Sequence, residues 1–258
     1  MTSKLEMILD KNDPSKFNNE YDVRVRRLAE LLSSTSPIKD ALGAAISEFE
    51  PGETIREHSN KPQVEEVFLL LDGTANFNLD GVVYQISAGD FGFARIDQKH
   101  SFTNTFDKKI RLLSIWWKAV DTETHEIVTI PVVVNSDLII DRDEPSKYKD
   151  EYDVRVRRLA ELLSLTSPTK TALGAAISEF EPMETVREHI NKPHVEEVFL
   201  LLDGTANFNL DGEPHQISAG DLGFARIGQK HSFTNTCDKK IRLLSVWWKV
   251  PGGEEEIK

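Results

Sequence analysis

The sequence predicts an all-β protein built from two copies of one domain. Two observations lead there: self-similarity at one fixed offset, and short apolar segments separated by turn residues. Residues 21–50 read YDVRVRRLAELLSSTSPIKDALGAAISEFE, and residues 152–181 read YDVRVRRLAELLSLTSPTKTALGAAISEFE. Only Ser34/Leu165, Ile38/Thr169 and Asp40/Thr171 differ. The match resumes through residues 64–117 and 195–248, every aligned pair being 131 positions apart. That period is too long for a solenoid repeat and has the length of a whole domain. The two domains are therefore assigned to residues 1–127 and 128–258.

Each copy opens with a segment that reads as a short amphipathic helix. Val25, Leu28, Ala29, Leu31 and Leu32 fall on one face, and Arg24, Arg26, Arg27 and Glu30 lie mostly on the other. Turn chemistry at residues 33–37 ends it. The signals then become β. Residues 41–49 lead to Pro51-Gly52, and the apolar run 67–71 ends at Asp72-Gly73. Residues 74–79 alternate Ala75, Phe77 and Leu79 with polar side chains, and Asp80-Gly81 is a hairpin dipeptide. Strands over 82–86 and 110–117 complete the unit. Many short strands with turns between them predict a sandwich or small barrel. In Trp116-Trp117 and Trp247-Trp248 one ring of each pair should face the core. The connection between copies carries the β-branched run 128–134 and is expected to form a strand.

Composition narrows the function classes. Hydrophobic residues make up 39% of the chain, enough for a core in each half. The formal net charge is -12 without a Lys/Arg-rich run, which argues against nucleic acid and membrane surfaces as partners. The one cysteine, Cys237, excludes an intrachain disulfide and fits a reducing compartment. Neither a signal-type apolar run nor a stretch of membrane length is seen, so a cytoplasmic location is expected.

Of seven histidines, four occupy equivalent places: His58 with His189, and His100 with His231. Residues 52–73 read GETIREHSNKPQVEEVFLLLDG, and residues 89–104 read GDFGFARIDQKHSFTN. These segments resemble the two motifs of the cupin family, G-x5-H-x-H-x3,4-E-x6-G and G-x5-P-x-G-x2-H-x3-N. His58, Glu66 and Gly73 fit the first, as do His189, Glu197 and Gly204. Gly89, His100 and Asn104 fit the second, as do Gly220, Gly228, His231 and Asn235. The resemblance implies two tandem jelly-roll (double-stranded β-helix) barrels, each with its histidines and glutamate gathered on a divalent metal. It departs from the family pattern at the second histidine of the first motif, where Asn60 or Asn191 stands nearby, in the spacing from there to the glutamate, which is one residue longer, and at the proline, which is Arg95 or Arg226.

What remains is His58, Glu66 and His100, with His189, Glu197 and His231 in the other copy. Two histidines and a carboxylate suit non-haem iron or manganese, with nickel, zinc or copper as further candidates. Glu65 and Glu196 are the alternative carboxylates, since neighbours on a strand face opposite ways. Arg95 and Arg226, with Arg56 and Arg187, could clamp a substrate carboxylate or form ion pairs with Glu57, Asp90 or another acid. His194, where the first copy has Gln63, could add a ligand. The expected function is a metal-dependent bicupin enzyme acting on a small polar or carboxylate-bearing metabolite by dioxygenase, isomerase, lyase or hydrolase chemistry. The alternatives are a metal-free enzyme using His100 or His231 as general base, and a non-catalytic cupin that binds a small molecule or is structural. The expected partners are a small-molecule ligand and further copies of the chain in a homo-oligomer.

Overall fold

The structure, a computed structural model, describes residues 8–9, 17–27, 42–118, 139–140, 148–158 and 173–249. All regular structure among them is β, in 22 strands. They divide into two compact units.

The first unit holds β2 (Asn18–Glu20), β3 (Val23–Arg27), β4 (Leu42–Phe49), β5 (His58–Ser59), β6 (Val64–Leu70), β7 (Thr74–Leu79), β8 (Val82–Ser87), β9 (Phe91–Ala94), β10 (Lys99–Asn104), β11 (Ile110–Lys118) and β12 (Ile139–Ile140). They form a seven-stranded sheet, β12-β9-β6-β11-β4-β3-β2, and a four-stranded sheet, β5-β10-β7-β8. Alternating side chains from both sheets meet in one core that includes Phe49, Phe68, Leu70, Phe77, Phe102 and Ile110. Phe77 and Phe102 are register partners and stack with centroids 4.5 Å apart. Burying each such ring contributes about 1.5–3 kcal/mol.

The second unit repeats this plan with β1 (Ile8–Leu9), β13 (Tyr148–Glu151), β14 (Val154–Arg158), β15 (Leu173–Phe180), β16 (His189–Ile190), β17 (Val195–Leu201), β18 (Thr205–Leu210), β19 (Glu213–Ser218), β20 (Leu222–Ala225), β21 (Lys230–Asn235) and β22 (Ile241–Lys249). Its sheets run β1-β20-β17-β22-β15-β14-β13 and β16-β21-β18-β19. The edge strand β1 pairs Ile8 with Gly223, and in the first unit β12 pairs Ile139 with Gly92. Each large sheet is thus edged by a strand that lies before the repeated sequence of its own unit, or after it. The position between residues 127 and 128, and the strand expected over 128–134, lie outside the described residues.

The expected helix is corrected where it overlaps the described residues. Val23–Arg27 is a strand, paired with β4 through Arg24↔Glu48 and Val25↔Ser47. The reason is the period-two pattern Val-Arg-Val-Arg: Val23 and Val25 are buried, and Arg24 reaches Glu48 at 2.7 Å. Val154–Arg158 behaves alike. The rest of the helical pattern, over 28–32, and the turn that ends it lie outside the described residues, among which no helix occurs.

Candidate functional site

His58 and His100 are brought together by the pairing of β5 with β10, where they are direct register partners. Their ring centroids are 4.5 Å apart. His58 Nδ1 lies 2.9 Å from the Arg56 carbonyl and His100 Nδ1 3.2 Å from the Gln98 carbonyl. A carbonyl only accepts, so both Nδ1 atoms donate, and in the neutral rings both Nε2 atoms keep their lone pairs. His100 is 1% exposed, and its Nε2 has no hydrogen-bond partner. Burial, and secondarily the neighbouring His58, lower the His100 pKa to about 4, so the ring is neutral near pH 7.

Glu66 joins them from β6. It faces inward with Phe68, and its Oε2 is 3.8 Å from His100 Nε2. Glu65 faces the other way. It is fully buried, accepts from Trp117 Nε1 at 3.2 Å and pairs with Arg95 at 3.3 Å. The carboxylate beside the histidines is therefore Glu66, and in the second unit Glu197, 3.8 Å from His231. There His189 and His231 sit 4.4 Å apart, and burial again lowers His231 to about 4.

These residues line a cavity of about 430 Å³ in the first unit and about 400 Å³ in the second. Trp116 forms part of the wall and lies so close to Gly43 that a Cβ there would stand 2.3 Å from the indole. Among the described lining residues, Lys61 and Lys118 stand against one carboxylate, Glu66, so the formal charge of these three is positive. Asn60 contributes an Nδ2 that is buried without a partner. Lys192, Lys249, Glu197 and Asn191 repeat this set.

The arginines expected to hold substrate are placed elsewhere. Arg95 and Arg226 pair with the buried Glu65 and Glu196 and lie over the Phe93 and Phe224 rings at 4.2 and 4.8 Å. The side chains of Arg56 and Arg187 are exposed. None of the four lines either of these two cavities. His194 is an exposed turn residue with φ 63 and lines neither cavity. Asn104, which fits the second motif, is a structural brace. Its amide donates to the Phe49 and Lys108 carbonyls and its oxygen accepts from the Phe106 backbone.

Tyr21, Lys61 and Lys118 escaped the sequence reading. A signal existed for Lys118: it lies two residues past Trp116 on one strand, hence on the same face.

The donor set suits a divalent metal: two imidazoles with Nδ1 fixed on backbone carbonyls, Nε2 lone pairs available, and a carboxylate alongside. The spacing is open. Two donors sharing an ion at about 2.1 Å lie roughly 3.0–3.4 Å apart, and His100 Nε2 and Glu66 Oε2 are 3.8 Å apart. Among the described residues no group of three or more His, Cys, Asp and Glu side chains is drawn close enough to hold an ion.

Comparison with known proteins finds a family match and similar folds. The family model for the Cupin domain matches residues 45–116 and 176–247. A solved Pseudomonas aeruginosa protein, named for induction by glyoxylate, is similar with a TM-score of 0.71 at 16% identity, over 97% of this chain and 91% of that one. Oxalate decarboxylase of Bacillus subtilis gives a TM-score of 0.61 at 16% identity, over 91% and 75%. The Lactobacillus farciminis oxalate decarboxylase, solved as a formate complex, gives 0.60 at 16% identity, over 92% and 84%. At these identities the likeness is one of fold.

Proposed function

The chain belongs to the cupin family, and from that premise we propose that each barrel is the pocket of a metal-dependent enzyme acting on a small carboxylate-bearing metabolite. The observation that carries the reading is the facing pair His58 and His100, with an unpartnered, buried Nε2 on His100 and Glu66 beside it. These three residues would hold a divalent metal, manganese or iron by preference, and His189, His231 and Glu197 a second. When bound, such a metal polarises substrate oxygens as a Lewis acid.

The chain's own residues select the ligand. Lys61 and Lys118 bring positive charge to the cavity, which favours an anion. The Asn60 amide offers a hydrogen to a carboxylate or carbonyl oxygen. Trp116, seated against Gly43, gives a flat apolar wall suited to a short planar molecule. The solved relatives support a first choice of assay. The Bacillus subtilis oxalate decarboxylase has Mn(II) centres, and the Lactobacillus farciminis enzyme is a formate complex. Oxalate, glyoxylate and formate with manganese are the first combinations to try. Dioxygenase, isomerase, lyase and hydrolase outcomes all remain within the proposal.

The test is elemental analysis of the purified chain beside His58→Ala/His189→Ala and His100→Ala/His231→Ala variants, with turnover measured on the same preparations. Metal that falls together with turnover in both variants supports the proposal. Metal content unchanged in both defeats it. The 3.8 Å opening between His100 and Glu66 favours one second reading, a cupin that binds its small molecule without metal. Oxalate binding undiminished by chelator would select it.

A further inference from the structure

We infer that Tyr21 and Tyr152 are positioning residues for His58 and His189, held over the imidazoles by hairpin tips whose backbone they strain. The inference rests on the cavity being the ligand site. Two turns of the same barrel differ in what they ask of their residues. The loop between β7 and β8 has two residues, Asp80 (φ 50) and Gly81 (φ 85), the kind of dipeptide that a loop with both φ values positive favours. The loop between β2 and β3 is also two residues with both φ values positive, Tyr21 (φ 52) and Asp22 (φ 73). A bulky aromatic residue in that region is an outlier. The second unit repeats the contrast, Tyr152 (φ 53) and Asp153 (φ 71) against Asp211 and Gly212 (φ 86).

The turn alone does not call for tyrosine, since glycine or asparagine would adopt it with less strain. What tyrosine adds is a ring stacked on His58, centroids 4.3 Å apart and planes 16° from parallel. Tyr152 stacks on His189 in the same manner, at 4.6 Å and 21°. Arg56 ties the two together through its backbone: its N–H donates to the Tyr21 carbonyl at 3.0 Å, and its carbonyl receives His58 Nδ1. His58 is thus gripped on one ring face and at one nitrogen. The series continues inward from His58 to His100, Phe68, Phe102 and Phe77, ring against ring. Tyr21 is its exposed end, 38% accessible and lining the cavity, so it is no core residue. Strain kept at a residue that packs on a site histidine is the pattern of a positioning device.

Stability and function should then move in opposite directions. The test compares Tyr21→Gly/Tyr152→Gly, Tyr21→Phe/Tyr152→Phe and Asp22→Gly/Asp153→Gly with wild type. Three readouts are taken: the melting temperature, the imidazole resonances of the metal-free protein, and a Co(II) titration followed by visible absorption. The glycine pair at 21 and 152 should melt no lower than wild type, lose the ring-current shift at two imidazoles, and bind Co(II) about tenfold or more weakly. The phenylalanine pair should retain the ring-current shift and the affinity. The Asp→Gly control should melt higher with Co(II) affinity unchanged. A lower melting temperature or unfolding of the Tyr→Gly pair, unmoved imidazole resonances, or unchanged Co(II) affinity would each overturn the inference. Should wild type bind no Co(II), the metal proposal fails, and the imidazole spectra alone decide the role of Tyr21.

Discussion

His58 and His100 face each other across one register position of an antiparallel strand pair, their rings 4.5 Å apart, and His189 and His231 repeat the relationship at 4.4 Å. One ring of each pair is buried and the other is only partly so. That asymmetry gives the site a distinct response to acid.

Burial lowers His100 and His231 from 6.5 to about 4. The unfolded chain therefore binds more protons than the folded one between these values. Their contribution is fully present above pH 6.5 and is lost as pH falls toward 4. By pH 5 the loss is about 2 kcal/mol per histidine. Urea unfolding at pH 7 and pH 5 should show it, and His100→Gln/His231→Gln should flatten the difference. An equal pH effect in wild type and variant would refute the assignment.

Adjacent glutamates should behave oppositely. Glu65 is buried against Arg95 and Trp117 on one face, and Glu66 stands beside His100 on the other. Glu65→Ala leaves the Arg95 guanidinium without its carboxylate and should destabilise the fold by about 3 kcal/mol. Glu66→Ala should change stability much less and weaken Mn(II) binding. Denaturant melts and Mn(II) titrations of the two variants separate the roles.

Gly43 and Gly174 are seats for Trp116 and Trp247, with the place of a Cβ 2.3 Å from each indole. Gly43→Ala/Gly174→Ala must displace the rings. A loss of about 1–3 kcal/mol is expected, with a changed tryptophan emission spectrum. An unchanged spectrum and melting temperature would show that the rings do not rest there.

Cationic residues divide into those paired with buried glutamates and those that line the cavities. Lys118→Ala/Lys249→Ala should weaken oxalate binding, and the remaining affinity should depend less on salt. Arg95→Ala/Arg226→Ala should lower stability while leaving oxalate affinity near wild type, because those guanidinium groups pair with Glu65 and Glu196 outside the cavities. Isothermal titration at two salt concentrations distinguishes them.

Much of the barrel was legible in the chain because its signals are local. The alternation over residues 74–79 and the Asp80-Gly81 turn both appear as read. The segment before them misled because Leu28, Leu31 and Leu32 suggest a helical stripe, whereas the Val-Arg-Val-Arg run just upstream has the strand period and decides the described part. Arg95 looked like a pocket residue by motif position. Alternation corrects it: Ala94 is in register with Glu66 on the inner face, so Phe93 and Arg95 face away. The six-residue spacing from Glu66 to Gly73 already favours Glu66 over Glu65, and the pairing of Glu66 with Trp116 in β11 adds a long-range reason. Tyr21 was invisible, since its stacking on His58 depends on a turn whose residues do not announce it.

The most direct measurement of the central claim is the stoichiometry of Mn(II) binding to wild type, to His100→Ala, to His231→Ala and to the double variant, followed by electron paramagnetic resonance of free Mn(II). Two ions per wild-type chain, one in each single variant and none in the double variant are predicted. Equal binding by all four proteins, or none by wild type, would contradict the assignment of His58, His100 and Glu66, and of their counterparts, as metal-holding residues.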